Sequence, residues 1–283
     1  MNNSTKQFPL ADHHVVTLAL NVPGPVAASR LQELGARTTK VEPPWGDPLS
    51  TICPAWYEDL TRDQTVVPLN LKEEIDRQRF DEILRAADIL ITSFRPEAFK
   101  NLGLGWNDLH KKFPRLCQVA IVGFAYPRSN EPGHDLTYQA NYGLVTPPEL
   151  PRTLIADIAG AERTFSCALK LLYLRERQGV GSYEEVSLAD SVAPFSKPLL
   201  YGLTRSGRLL GGGLPTYNIY RTSDGWVALA ALEKPFADRL KNEFHLTELT
   251  YSVLQELFQQ KTSNDWETLA QEKDLPIAAI AVS

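Results

Sequence analysis

The chain has 283 residues, 43% of them hydrophobic and 22% charged, enough apolar side chain to bury a core without disulfide or metal staples, and wholesale disorder is excluded. Its 29 Lys and Arg against 34 Asp and Glu leave a net charge of -5, which argues against a protein that coats nucleic acid. The three cysteines, Cys53, Cys117 and Cys167, lie far apart and form no C-x-x-C pair, so neither a disulfide framework nor a zinc site is expected, and a reducing, cytoplasmic setting is.

Met1 to Ala11 carry one lysine and no long apolar stretch behind them, which reads as a frayed end rather than a signal peptide. No window of about 18 apolar residues occurs, so no membrane span is expected. The apolar run 15–20, the Asn21-Val-Pro-Gly-Pro25 turn, a helical stretch over 26–34 and Gly35 as its cap make a strand–helix unit. Residues 38–42 read as a second strand stopped by Pro43-Pro44. A third unit follows, with a strand over 65–71, a helix over 72–86 carrying Ile75, Phe80, Ile83 and Leu84 at helical spacing, and a strand over 88–92. Such alternation predicts an α/β fold with a parallel sheet covered by helices.

Short helices are expected over 97–102 and 106–113, and a strand over 116–123. The segment 125–151, rich in Pro, Gly, Asn and Tyr, reads as a long loop with one short helix over 136–142, and loops after strand ends are where open α/β sheets hold ligands. A long amphipathic helix over 158–177 leads through a glycine turn to a strand over 183–188, and no boundary is clear from 191 to 208. Beyond the Gly211-Gly-Gly213 run, read as a hinge, a hairpin around Asp224-Gly225 and helices over 235–244, 247–260 and 264–272, the last capped by Ser263, predict a small α+β domain. The division expected is 1–195 for the large domain, 196–210 for a linker and 211–283 for the small domain.

Gly133-His134-Asp135 stands in the long loop, and Asp157 follows at the head of the long helix. An unperturbed imidazole titrates near pH 6.5, so a histidine and a carboxylate are a workable acid/base pair at neutral pH. Read singly, Gly-His-Asp is also an ordinary turn and Asp157 an ordinary N-cap. Glu233, between an apolar strand and Pro235, either orients a histidine or is a solvated turn residue. His13, His14, His110 and His245 show no ligand spacing and read as surface groups, so no metal is expected.

Taken together the motifs are more specific. Pro23-Gly-Pro25, Leu31-x-x-Leu-Gly-Ala36, Lys40-Val-Glu42-Pro, Leu69-Asn-Leu-Lys72, Ser93-Phe-Arg-Pro96, Leu102-Gly-Leu-Gly105, Pro132-Gly-His-Asp135 with Tyr138, Ala156-Asp157 and Val186-Ser-Leu-x-Asp190 resemble, in this order, the family III coenzyme A transferases (CaiB/BaiF), the group that also contains 2-methylacyl-CoA racemase. The resemblance implies a large Rossmann-like domain joined to a small one, an interlocked homodimer, an acyl-CoA substrate whose coenzyme A is the only cofactor-like group, and neither metal nor redox cofactor. It implies Lys72, Arg95, Tyr138 and Asp135 as coenzyme A and thioester contacts.

Two chemistries compete within the family. Transferases use the aspartate at the position of Asp157 as a nucleophile. Racemases use the histidine at the position of His134 and that aspartate as acid/base groups on opposite faces of the substrate α-carbon, with a glutamate at the position of Glu233 near the histidine. The Gly-His-Asp sequence and the 211–233 segment favour the racemase branch, an epimerase of 2-methyl-branched acyl-CoA. The backbone N–H groups at the head of the Asp157 helix are expected to stabilise the enolate. The alternatives are transfer through Asp157 and a catalytically silent acyl-CoA-binding member. Two departures bear on these: Pro43 and Asp63-Gln64 stand where the family commonly has basic residues, which implies weaker coenzyme A binding or a different acyl carrier, and a shortened C-terminus, without the family's segment returning to the large domain, is expected to weaken closure of the interlocked ring.

Overall fold

The computed structural model describes residues 8–281. Residues 1–7 of the expected frayed end lie outside the described residues, whereas Leu10 is already in the core and its amide donates to the Leu34 carbonyl at 2.9 Å. The chain forms two compact units, Met1–Ser196 and Lys197–Ser283.

In chain order the first unit holds β1 (His14–Thr17), α1 (Pro23–Glu33), β2 (Arg37–Glu42), α2 (Leu49–Ile52), α3 (Pro54–Thr61), β3 (Thr65–Pro68), α4 (Glu74–Arg85), β4 (Ile89–Thr92), α5 (Pro96–Asn101), α6 (Trp106–Lys112), β5 (Cys117–Val122), α7 (Asp135–Asn141), α8 (Ile155–Gln178) and β6 (Tyr183–Ser187), and α9 (Leu188–Leu200) follows. The six strands lie in the order β3-β2-β1-β4-β5-β6, every pair parallel, with Val15 of β1 between Thr38 of β2 and Ile89 of β4. Apolar side chains line both faces, as a sheet covered on both sides requires. Val15, Ile89, Ile91, Val119 and Ile121 share one core with Leu31 of α1 and Leu171 of α8. Their neighbours Val16 and Leu90 point the other way, to Phe80 and Leu84 of α4 and Leu109 of α6, following the two-residue period of a strand. The chain leaves β1 toward β2 and returns from β3 to β4, so the loops after β1 and β4 diverge and open a crevice at the carboxyl ends of these strands.

Three differences from the sequence reading have local causes. The strand expected over 65–71 stops at Pro68, and Asn70 to Glu73 closes a turn through a 2.8 Å backbone bond. Helices α2 and α3 carry few apolar side chains inward, so no periodicity announces them; Leu49 and Leu60 are their buried anchors. Helix α8 starts at Ile155 rather than at 158, because the carboxylate that satisfies its first amides comes from elsewhere in the chain.

The second unit has β7 (Tyr217–Arg221), β8 (Trp226–Ala230), α10 (Lys234–Glu243), α11 (Tyr251–Phe258), α12 (Ser263–Lys273) and β9 (Ile277–Ala279), the strands forming an antiparallel sheet in the order β7-β8-β9. The hairpin turns at Asp224-Gly225 as the sequence indicates. Trp266, Phe258 and Tyr220 are buried in its core. Helix α12 is capped by Thr262 with a reciprocal Asp265, while Ser263 binds Asp224 instead, its amide donating to Oδ1 at 2.8 Å. The glycine run 211–213 is a tight turn rather than a bare hinge: a Cβ on Gly211 would come within 1.9 Å of the Arg205 carbonyl oxygen. No described helix is long and apolar enough to cross a membrane.

Candidate active site

The crevice is a cavity of about 520 Å³, walled by Asn21 after β1, Ser93 and Arg95 after β4, Gly123 after β5, His134 and Tyr138 at α7, and Asp157 at the head of α8. Each wall follows from the topology, since strand ends and helix starts converge only at this edge of the sheet. The structure therefore brings His134, Tyr138, Arg95 and Asp157 to one cavity.

His134 is the exposed N-cap residue of α7; its amide donates to the Thr137 hydroxyl oxygen at 3.0 Å, and the Thr137 hydroxyl donates back to the His134 carbonyl at 2.7 Å. The imidazole borders the cavity. Asp157 is half-buried in the first turn of α8, at the third helical position rather than the cap, which Leu154 occupies. Burial, and then the neighbouring charge of Asp135, push its carboxyl up from 3.8 to about 6. A carboxyl there exchanges protons readily at neutral pH, as an acid/base group must.

Tyr138 is only 2% exposed, and its ring fits because two glycines leave room: a Cβ on Gly133 would come within 2.5 Å of the ring, and one on Gly123 within 2.4 Å of the hydroxyl. Burial and the charge of Asp157 raise the phenol's proton affinity, and Arg95 offsets part of that rise. The hydroxyl thus stays protonated, a hydrogen-bond donor.

Asp135, expected as a coenzyme A contact, turns its carboxylate to the head of α8. Its carboxylate is buried, and Oδ1 accepts the Ala156 and Asp157 amides at 2.7 and 3.1 Å, while Oδ2 accepts the Gln139 side-chain amide at 2.6 Å. The same bonds correct the expectation that the first amides of α8 face an enolate, because those of Ala156 and Asp157 already have their acceptor.

Lys72 is exposed and borders a second, smaller cavity of about 160 Å³ with Trp45, Leu71 and Leu102. The two cavities meet at Leu20 and Phe94, which line both, so an extended ligand can occupy them together. Glu233 belongs to the second unit, where it is the exposed N-cap residue of α10. His14 is buried rather than on the surface; its ring binds the Thr39 hydroxyl at 2.8 Å, and burial lowers its pKa. Among the described residues no cluster of His, Cys, Asp and Glu is grouped to hold a metal.

One polar group escaped the sequence reading. The side chain of Lys40 is 0% exposed and lies between the carboxylates of Glu42 and Asp47, the latter at 2.6 Å, while the Tyr57 hydroxyl donates to Glu42 at 2.9 Å. Asp47 also accepts the amides of Asn21 and Leu49 at 3.0 and 2.9 Å, which fixes the left-handed Asn21 (φ 65°) in the cavity wall. The signal was present in part: Lys40 and Glu42 are two apart on one strand and so share a face, but Asp47 arrives there only through the turn after it.

Comparison with known proteins agrees with this geometry. The CoA-transferase family III model matches residues 10–282. An acetyl-CoA:oxalate CoA-transferase of Acetobacter aceti is 32% identical over 211 residues, covering 69% of this chain and 54% of the relative. The human alpha-methylacyl-CoA racemase is 29% identical, covering 91% of this chain and 69% of its own. The chain thus spans about half the length of the first relative and two thirds of the second. A hypothetical protein of Mycobacterium tuberculosis, solved by crystallography, superposes with a TM-score of 0.83 at 26% identity, covering 97% of this chain and 84% of that one. A match along nearly the whole chain, on a fold that gathers the family's motif residues into one cavity, places this protein in CoA-transferase family III.

Proposed function

We propose that this protein is an acyl-CoA α-epimerase that moves a proton at the α-carbon of a 2-methyl-branched acyl-CoA. The observation that carries the reading is the pairing of an accessible imidazole, His134, with the half-buried Asp157 carboxyl, raised to about 6, in one cavity. One group takes the α-proton, and the electrons of the C–H bond pass into the thioester carbonyl to form an enolate. The other returns a proton to the opposite face, so nothing is oxidised and no atom is lost. Each well-placed acid or base supplies on the order of 10² to 10⁴ in rate, and enolate stabilisation must supply much of the remainder. With the first α8 amides occupied, the Tyr138 hydroxyl is the donor assigned to the enolate oxygen.

Coenzyme A is assigned to the joined cavities, with Lys72 and Arg95 as charge-assisted partners of its phosphates. A homodimer belongs to the same proposal and is checked by the mass in solution.

The test is exchange of the substrate α-proton with solvent deuterium. Exchange is expected with a branched acyl-CoA and is lost in His134→Ala and Asp157→Ala; retention in both variants refutes the mechanism. CoA transfer through Asp157 is the rival, favoured by the 32% identity to a transferase, and a hydroxylamine-sensitive acyl or CoA adduct on Asp157 would establish it. Binding of acyl-CoA with neither exchange nor transfer would leave a binding protein.

A further inference from the structure

We propose that Asp135 is a positioning residue for Asp157, tying down the first turn of the helix that carries it and placing a second negative charge beside it. Its catalytic meaning rests on the acid/base reading above.

A helix begins with amides that have no partner inside it, and α8 has no capping side chain of its own, since its N-cap is Leu154. Asp135, 6% exposed, satisfies two of these amides from α7, and one of them is the amide of Asp157 itself. The remaining carboxylate oxygen is held by Gln139, which is fully buried and also donates to the Thr153 carbonyl at 3.0 Å. Gln139 therefore ties α7 to the segment leading into α8. His134 is the residue before Asp135, so one peptide link fixes the imidazole's backbone relative to the helix that bears the carboxylate. Without this acceptor, the first turn of α8 would fray, and both groups would lose their fixed spacing.

The charge acts separately from the bonds. Two carboxylates close together resist joint ionisation, so Asp135 adds to the larger effect of burial in making Asp157 hold its proton. The other ionisable groups bordering the same cavity are His134 and Tyr138 from α7, Glu131 from the loop before it, and Arg95 from the start of α5. Of these, Arg95 is the one fixed cation, and Asp135 is the carboxylate that touches the Asp157 backbone.

The experiment titrates Asp157 by carboxyl carbon NMR and measures the pH profile of α-proton exchange in the whole chain, for the parent, Asp135→Asn and Asp135→Glu. Asp135→Asn removes the charge, so Asp157 titrates below the parent value and the acid limb of the exchange profile moves to lower pH with it, while the plateau rate falls about tenfold or more. Asp135→Glu keeps the charge and misplaces the acceptor, so the plateau falls but the Asp157 titration stays near the parent's. A merely structural role would lower the plateau in both variants and move neither titration nor limb; an unmoved Asp157 in Asp135→Asn overturns the proposal. If that variant does not fold, Asp135→Glu decides, and a parent-like plateau there overturns it equally. Failure of the parent to exchange any acyl-CoA would remove the epimerase reading, and the NMR titration would still decide the role of Asp135.

Discussion

Replacing Asp157 with asparagine removes a charge that the fold disfavours, and so separates the needs of catalysis from those of stability. The carboxyl titrates at about 6 in the folded chain against 3.8 ordinarily, and at about 1.4 kcal/mol per pH unit that rise corresponds to about 3 kcal/mol. The sign follows from proton binding: between about pH 4 and 6 the folded state holds a proton that the unfolded state has released, so stability falls as pH rises through this window and stays reduced above it. The helix dipole returns about 0.3–1 kcal/mol to a carboxylate in the first turn, and partial exposure screens the remainder. Asp157→Asn is therefore expected to be about 2 kcal/mol more stable than the parent at pH 8 and about equal to it at pH 4, while losing α-proton exchange. Because the chain has two compact units, the assay is a urea titration followed by hydrogen exchange in the β4 and β5 peptides of the first unit, at both pH values. An asparagine variant no more stable than the parent at pH 8, or equally advantaged at pH 4, refutes the account of Asp157.

Other substitutions test other parts of the site. Gly133→Ala sets a methyl group within 2.5 Å of the Tyr138 ring and is expected to cost about 1–3 kcal/mol by overpacking, read as a lowered melting temperature; a neutral result would mean that the ring is not held between the glycines. Lys40→Met leaves the carboxylates of Glu42 and Asp47 buried without a cation, at about 3–5 kcal/mol, with a smaller loss in Lys40→Met/Asp47→Leu; equal losses in the two would disprove the ionic reading. Lys72→Ala, at an exposed position, is expected to raise KM for acyl-CoA about twofold to fivefold with kcat unchanged, and a fall in kcat alone would move Lys72 away from ligand binding.

The strands and the crevice were legible because their signals are local. Runs such as 15–20 and 88–92 are apolar on both faces, which marks a covered parallel sheet, and the turn residues after them mark the edge where ligands bind. His134 and Asp157 were legible by motif, although each alone could have been a turn or a cap. What escaped is built from pairs distant in sequence. The carboxylate that starts α8 at Ile155 lies on α7, and the buried cluster around Lys40 needs Asp47 and Tyr57, which nothing in the 43–57 segment announces. His14 was misread because the strand begins one residue before its apolar run and carries it inside, where Thr39 of the next strand receives its ring. The bonds of Asp135 to the head of α8 escaped for a related reason: a motif shows which residue is present, and only the fold shows which way its carboxylate faces.

Helix α8 is also fastened at its other end. Its 24 residues extend about 36 Å, and near their close the Arg175 guanidinium, 4% exposed, binds Asp88 at 2.7 Å, whose second oxygen takes the His14 amide at the foot of the sheet. A long helix ordinarily exchanges its opening amide hydrogens with solvent fastest, because the first turn opens most often. In this one the Ala156 and Asp157 amides should instead be among the slow exchangers, and the aspartate would stand on a girder pinned at both supports, its aim kept by the stiffness of the span.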